Sequence, residues 1–361
     1  MKKYLFLLLA CVLMVSGCGK PGDIHKIYAG YSSFGHILFD KNYSFSFIKD
    51  ALPSKTFLCL VSSNARKVKK YYFKSCGLLG PQEVLPEVYK AVCYAANFRN
   101  SVMVDEILLF DLEEHSVIKR FLLTSGYRPI LIRRPRWADD IFVLIYSRNS
   151  KTCLLRKIDL HDNSFSNPKV IGSFSVENAF FMEKAPFLIL DVVNGQVREL
   201  IVYDIKQEAI VQRYLLDAPV VELKESDEKD VVYGLFQMPG ELKSKIMSFG
   251  LKDNKFSIVA EIDGELESML VDNNIFYVIG KDHKRRDKQS KYWLYPRNLY
   301  IIDRNRSSAV EIVNWTKRQG KFLGMNPENC SILYAVTDND APGIWVIKNS
   351  DALLKVKRVI R

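Results

Sequence analysis

Histidine is scarce in this sequence. His25, His36, His115, His161 and His283 are the full complement, and they stand far apart. No His-Glu-x-x-His motif occurs, which excludes a zinc-protease helix of that type. A phosphate-cradling Gly-rich loop and a dinucleotide fingerprint are missing as well. "GYSSFG", Gly30 to Gly35, has the wrong spacing for a nucleophile elbow. Cysteine is sparse and unpatterned: there are seven, with no Cys-x-x-Cys pair and no Cys/His cluster at zinc spacing. Long helical periodicity is hard to find. "PQEVLPEVYKAVCYAANF" has room for one turn of helix, limited by Pro81 and Pro86. After Cys18 no apolar run reaches the roughly 20 residues that a membrane-spanning helix needs. These absences lead us to expect no catalytic residue, no metal and no cofactor.

Two acidic stretches fall short of a calcium site for a related reason. "TDNDAPG" sets Asp338 two residues before Asp340, and "ESDEKD" gathers carboxylates from Glu225 to Asp230. A calcium loop needs further oxygen ligands and a distal Glu at fixed spacing, so both read as turns.

What is present begins at the first residue. Lys2 and Lys3 form a short positive region, Tyr4 to Val15 is apolar, and Ser16 and Gly17 are small residues directly before Cys18. That is the layout of a secretory signal with its cleavage site. Val15-Ser16-Gly17-Cys18 resembles the lipobox of bacterial lipoproteins: aliphatic, small, small, Cys. The resemblance covers the first 18 residues and departs from the commonest form only in Val15. It implies that residues 1–17 are removed and that Cys18 carries lipid as the first mature residue. Two or more acyl chains anchor a protein stably where one does not. The resemblance also implies a bacterial cell-envelope location. Gly19, in place of a retaining Asp, favours the outer membrane over the inner.

Net charge is +11, and the chain stays basic after Lys2 and Lys3 are lost. In an exported protein such charge points to anionic surfaces or acidic proteins rather than to nucleic acid. Of the cysteines in the body, Cys59, Cys76, Cys93, Cys153 and Cys330, most lie in apolar runs such as "FLCLV" and "KAVCYAA". They read as small buried hydrophobes. Their number is odd, so they cannot all pair within one chain.

The body reads as many short strands cut by Asp, Asn, Gly and Ser clusters, with tyrosine and phenylalanine plentiful. One pattern recurs: an apolar strand, a small or polar turn residue, then an apolar residue about six places on. Its turns fall at Ser62, Asp111, Asp159, Asp204, Gly250, Asp303 and, less clearly, Lys348. The return strands begin near Val68, Val117, Phe165, Ile210, Phe256, Val310 and Leu354. Successive turns are 45 to 53 residues apart. A period of about 40–50 residues with four strand-like runs is that of a β-propeller blade. The expected fold is therefore all-β: a propeller of about seven four-stranded blades, with six or eight as the alternatives. We place it at residues 28–361, after a lipidated tether over 18–27. The Trp-Asp, Gly-His and paired-Gly signatures of named repeat families are absent.

Two basic stretches are the candidate binding residues. "IRRPRW" carries Arg133, Arg134 and Arg136 beside Trp137. "KDHKRRDKQSKYW" carries Lys284, Arg285 and Arg286 and coincides with the widest repeat gap, as an insertion in the sixth blade would. Arg forks suit carboxylate and phosphate. The expected function is a non-enzymatic binding or scaffold lipoprotein of the bacterial envelope. It is held to the membrane through Cys18 and meets an envelope protein. The alternative is an envelope enzyme or a binder of small ligands such as carbohydrate, with Glu222, Asp272 and Asp139 as carboxylates to inspect at the channel mouth.

Overall fold

In a computed structural model of the chain, the described residues are 78–281 with short breaks, 297–305, and individual strands nearer either end. Side chains are described chiefly within 81–305. Cys18, His36, Cys76, His115, His283, Lys284, Arg285, Arg286, Cys330, Asp338, Asp340, Lys348 and Leu354 lie outside the described residues. Among those described, the strands form seven antiparallel sheets. In chain order they occupy 38–73, 78–122, 127–173, 175–216, 220–263, 265–316, and 320–347 joined by 24–29. Six of the sheets have four strands. The first strands of successive sheets pack on one another from Leu78–Leu85 round to Gly320–Met325. This is the expected β-propeller, and we count strands outward from its inner ring.

The third sheet departs from the pattern because its outer edge is split. Ser164–Phe165 and Lys169–Ser173 both pair with Thr152–Asp159. Pro168 stands in the break, where it has no N–H to give a ladder. The one helical piece among the described residues is a 3-10 turn at Pro86–Val88, between strands Leu78–Leu85 and Lys90–Arg99. Pro86, expected from the sequence to limit a helical turn, begins it instead.

Burial explains why the middle strands read as unbroken apolar runs. Ile141–Ser147 is buried along its whole length. Its side chains alternate between two packing faces. Ile141, Val143 and Ile145 meet the second sheet at Val92, Ile107 and Leu109. Phe142, Leu144 and Tyr146 meet the fourth at Phe181, Leu188 and Leu190. A strand pressed between two sheets is apolar on both sides, so the period-two signal disappears. Outer strands keep it: Ala209–Leu216 alternates between exposed and more covered positions.

The Asp turns do what the sequence predicts. Asp111 accepts hydrogen bonds from Glu113 N and Glu114 N at 2.8 and 2.9 Å. Asp159 accepts from His161 N at 2.8 Å and Asp204 from Lys206 N and Gln207 N at 2.8 and 3.0 Å. Asp303 accepts from Asn305 N at 2.9 Å. Each carboxylate closes the turn between the third and fourth strand of its sheet.

The expected seventh hairpin is corrected. Gly343–Ile347 has both edges occupied, one by Ile332–Val336 and the other by Ile24–Ala29. The start of the chain, rather than a return strand from Lys348, therefore pairs with the outer side of Gly343–Ile347; Lys348 and Leu354 themselves lie outside the described residues. Residues 24–27, assigned from sequence to the tether, belong to that strand. Cys93 and Cys153 are buried in strands, and burial pushes the Cys153 thiol up to about 12.

Candidate functional site

Arg133 ends the strand Tyr127–Arg133, the innermost of the third sheet. Its guanidinium donates from Nη1 to Glu83 Oε2 at 3.1 Å and from Nε to Glu183 Oε1 at 2.7 Å. Glu83 comes from the second sheet and Glu183 follows the first strand of the fourth. One side chain thus ties three consecutive blades. Only 12% of it is exposed, against 1% for Glu83.

The rest of "RRPR" completes the arrangement. Arg134 N donates to Glu83 Oε1 at 3.0 Å, and Arg136 N donates to Glu183 Oε2 at 3.1 Å. Pro135 between them has no N–H to place. Both carboxylates are therefore bonded through both oxygens. Arg134 turns its guanidinium to Glu87 and the Ala138 carbonyl. The Arg136 side chain is exposed. So the cluster chosen from sequence divides: Arg133 is a buried clamp, and Arg136 is the member that faces solvent.

Burial pushes the Glu83 carboxyl up to about 7, even though Arg133 and the Arg134 N–H oppose the shift; the nearby Glu183 charge adds to it. Two carboxylates share one guanidinium, so the cluster carries an excess negative charge in a dry place. A carboxyl titrating near neutrality would suit proton transfer. Here both oxygens are occupied and covered, so the shift belongs to the clamp rather than to chemistry on a substrate.

The same device recurs around the inner ring. Glu225 accepts from Glu183 N and Lys184 N at 2.7 and 2.9 Å, and burial raises its pKa. Asn178 Nδ2 donates to Val220 O at 2.9 Å. Glu222, a candidate channel carboxylate, accepts from Met269 N at 2.6 Å and Ser268 Oγ at 3.0 Å, and Lys224 is 2.7 Å away. Phe322 N in turn donates to Ser268 Oγ. Apart from the Lys224 pair, which lies within one strand, each bond joins neighbouring blades. Asp139 is fully exposed, and Asp272 is half-buried at the end of Glu265–Asp272. The three come from different blades: Asp139 from the third, Glu222 from the fifth and Asp272 from the sixth.

Topology also separates the two basic stretches. Arg133 to Arg136 follow a first strand, on the face bearing the first-to-second and third-to-fourth links. The segment from 282 to 296 joins the second and third strands of the sixth sheet, which places its two ends on the opposite face. A further feature was not read from sequence. A cleft of about 330 Å³ opens between the third and fourth blades, lined by Trp137, Phe142, Arg156, Tyr203 and Lys206 among others. The "SNP" that splits the outer strand was its only local signal. Among the described residues, no group of His, Cys, Asp and Glu side chains could hold a metal ion.

These features define a seven-bladed β-propeller closed by its own first strand, and solved structures share that fold. Hydrazine synthase from Kuenenia stuttgartiensis matches with a TM-score of 0.62 at 13% identity, over 90% of this chain and 97% of that one. Oligogalacturonate lyase from Vibrio parahaemolyticus matches at 0.61 and 9%, over 91% and 94%. The Cps50 (Swd1) propeller domain of Myceliophteria thermophila matches at 0.58 and 10%, over 90% and 99%. Proteins so different in role share the architecture alone. No protein-family model matches the chain, and no curated protein matches it.

Proposed function

We propose that this chain is a lipid-anchored protein of the bacterial envelope whose propeller is a non-catalytic binding module for an envelope protein. The observation that carries the non-catalytic reading is the state of the inner-ring carboxylates. Glu83, Glu183, Glu222 and Glu225 are each bonded to backbone amides of a neighbouring blade. An acid or base at the channel mouth needs a carboxylate that can reach a substrate. Here they hold blades together.

The anchor rests on Val15-Ser16-Gly17-Cys18, and Gly19 favours the outer membrane. The first strand begins at Ile24, so Cys18 stands at most about 20 Å from it. Ile24 is the register partner of Ile347, at the end of a third strand. The lipid would then attach on the face that bears the third-to-fourth turns. Lys281 and Arg297, which flank the basic segment with Lys284, Arg285 and Arg286, stand at the strand ends on the opposite face. This favours a protein partner for that segment over lipid headgroups.

Cys18→Ala tests the anchor. Labelling by a lipid precursor should vanish and the protein should leave the membrane fraction. Unchanged membrane association would sink the reading. Neutralising Lys284, Arg285 and Arg286 together should abolish co-isolation with an envelope complex while leaving lipid labelling intact.

A further inference from the structure

The outer strand of the third blade breaks at Ser166, Asn167 and Pro168, and the cleft between the third and fourth blades opens at that break. Trp137 gives it aromatic surface, backed by the nearly buried rings of Phe142 and Tyr203. Trp137 is fixed there by its Nε1 donating to Met182 O at 3.0 Å and by its ring lying 5.5 Å from Phe142.

The charges around the cleft are unevenly matched. Lys157 pairs with Asp140 and Lys169 with Glu208, both at 2.8 Å. Arg156 has no carboxylate partner among the described residues. Its guanidinium lies 3.5 Å over the Phe165 ring. It donates from Nε to Ser166 O at 2.6 Å and from Nη2 to Phe165 O at 3.3 Å. Burial lowers its pKa, with no acidic neighbour to offset the effect. Lys206 adds an exposed cation at the rim.

We propose that this cleft binds a small anionic saccharide. A half-buried guanidinium without a counter-ion calls for an anion, and its planar fork fits carboxylate or phosphate. Aromatic rings suit the C–H faces of a sugar. Asn167, with the carboxylates of Asp140 and Glu208 at the rim, supplies partners for hydroxyl groups. A purely aromatic acid would cover these polar groups without bonding them, which is costly. The volume lies at the small end of the roughly 300–1,000 Å³ range of ligand sites, room for one or two rings. Trp137 follows the clamp segment at Arg133, but Arg156 and Lys206 belong to other strands and turns, and the site does not depend on lipidation of Cys18.

The full chain, in a sugar-free detergent, is titrated calorimetrically with three probes: a glucuronate-containing disaccharide, glucose 1-phosphate and maltose. At least one anionic probe should bind saturably, at least tenfold tighter than maltose, and should quench tryptophan fluorescence. Which anion binds tells carboxylate from phosphate. Trp137→Phe should remove most of the quench. Lys206→Ala, at an exposed position that leaves folding intact, should weaken binding severalfold. Arg156→Gln should abolish it where the variant folds. Failure of both anionic probes to bind, equal binding of maltose, or unchanged affinity in Lys206→Ala and a folded Arg156→Gln would overturn the proposal.

Discussion

The Glu83–Arg133–Glu183 clamp makes a prediction whose sign follows from its geometry. Glu83 takes its proton with a pKa of about 7 in the folded chain, against the ordinary value of 4.5. Between those values the folded protein holds a proton that the unfolded chain has released. The protonated carboxyl is the form the fold prefers, so its favourable effect is full below pH 4.5 and is lost as pH rises through 7. Between the ordinary 4.5 and about 7, at ~1.4 kcal/mol for each tenfold change in proton concentration, the loss comes to about 3 kcal/mol. Glu83→Gln abolishes the titration; its single amide oxygen serves one of the two donors, Arg133 or Arg134 N, and the cost of losing the other does not vary with pH. Urea unfolding of both proteins from pH 4 to 8 measures the effect. The stability of the parent minus that of the variant should fall by about 3 kcal/mol across that range, most steeply between pH 4.5 and 7. A difference constant to within about 1 kcal/mol would refute the reasoning. Carbon-13 NMR of labelled glutamate gives an independent reading: one carboxyl resonance should titrate near neutrality in the parent and be missing from Glu83→Gln.

Two further predictions concern the fold. Asp204→Ala removes the acceptor for Lys206 N and Gln207 N in a turn whose exposed amides can turn to water. It should cost about 1–2 kcal/mol in urea unfolding, and no measurable loss would mean that the carboxylate does not close the turn. Deleting Ile24–Ala29 strips the outer strand from the last sheet, where it pairs at five register positions. At roughly 1 kcal/mol per ladder bond the loss is about 5 kcal/mol, seen as a lowered thermal midpoint; an unchanged midpoint would rule out closure by the first strand.

Much of the blade architecture could be read because its signals are local. An Asp whose carboxylate reaches amides two and three residues on leaves the same mark at 111, 159 and 204, wherever the blade sits in the ring. The apolar runs between the turns carry strand propensity and, where both faces are covered, lose their alternation. Assigning a hairpin at Lys348 extended that local rule one repeat too far. What overrules it is a strand more than 300 residues away in sequence, and no local pattern marks that pairing.

The basic cluster shows the same division. Its charge is plain in "IRRPRW", but nothing near Arg133 reveals that Glu83 and Glu183, each fifty residues distant, meet its guanidinium. That separation is one blade period in either direction, so blade stacking brings all three together. The cleft beside Arg156 arises likewise, from a broken strand on one blade facing a turn on the next. By itself, then, the sequence determined the repeat, the turns and the strand content, because each rests on contacts within a few residues. The tertiary structure decided which strand closes the ring, which charges are buried as clamps and where a cavity remains. Those depend on distances between blades, which exist only once the chain has come full circle.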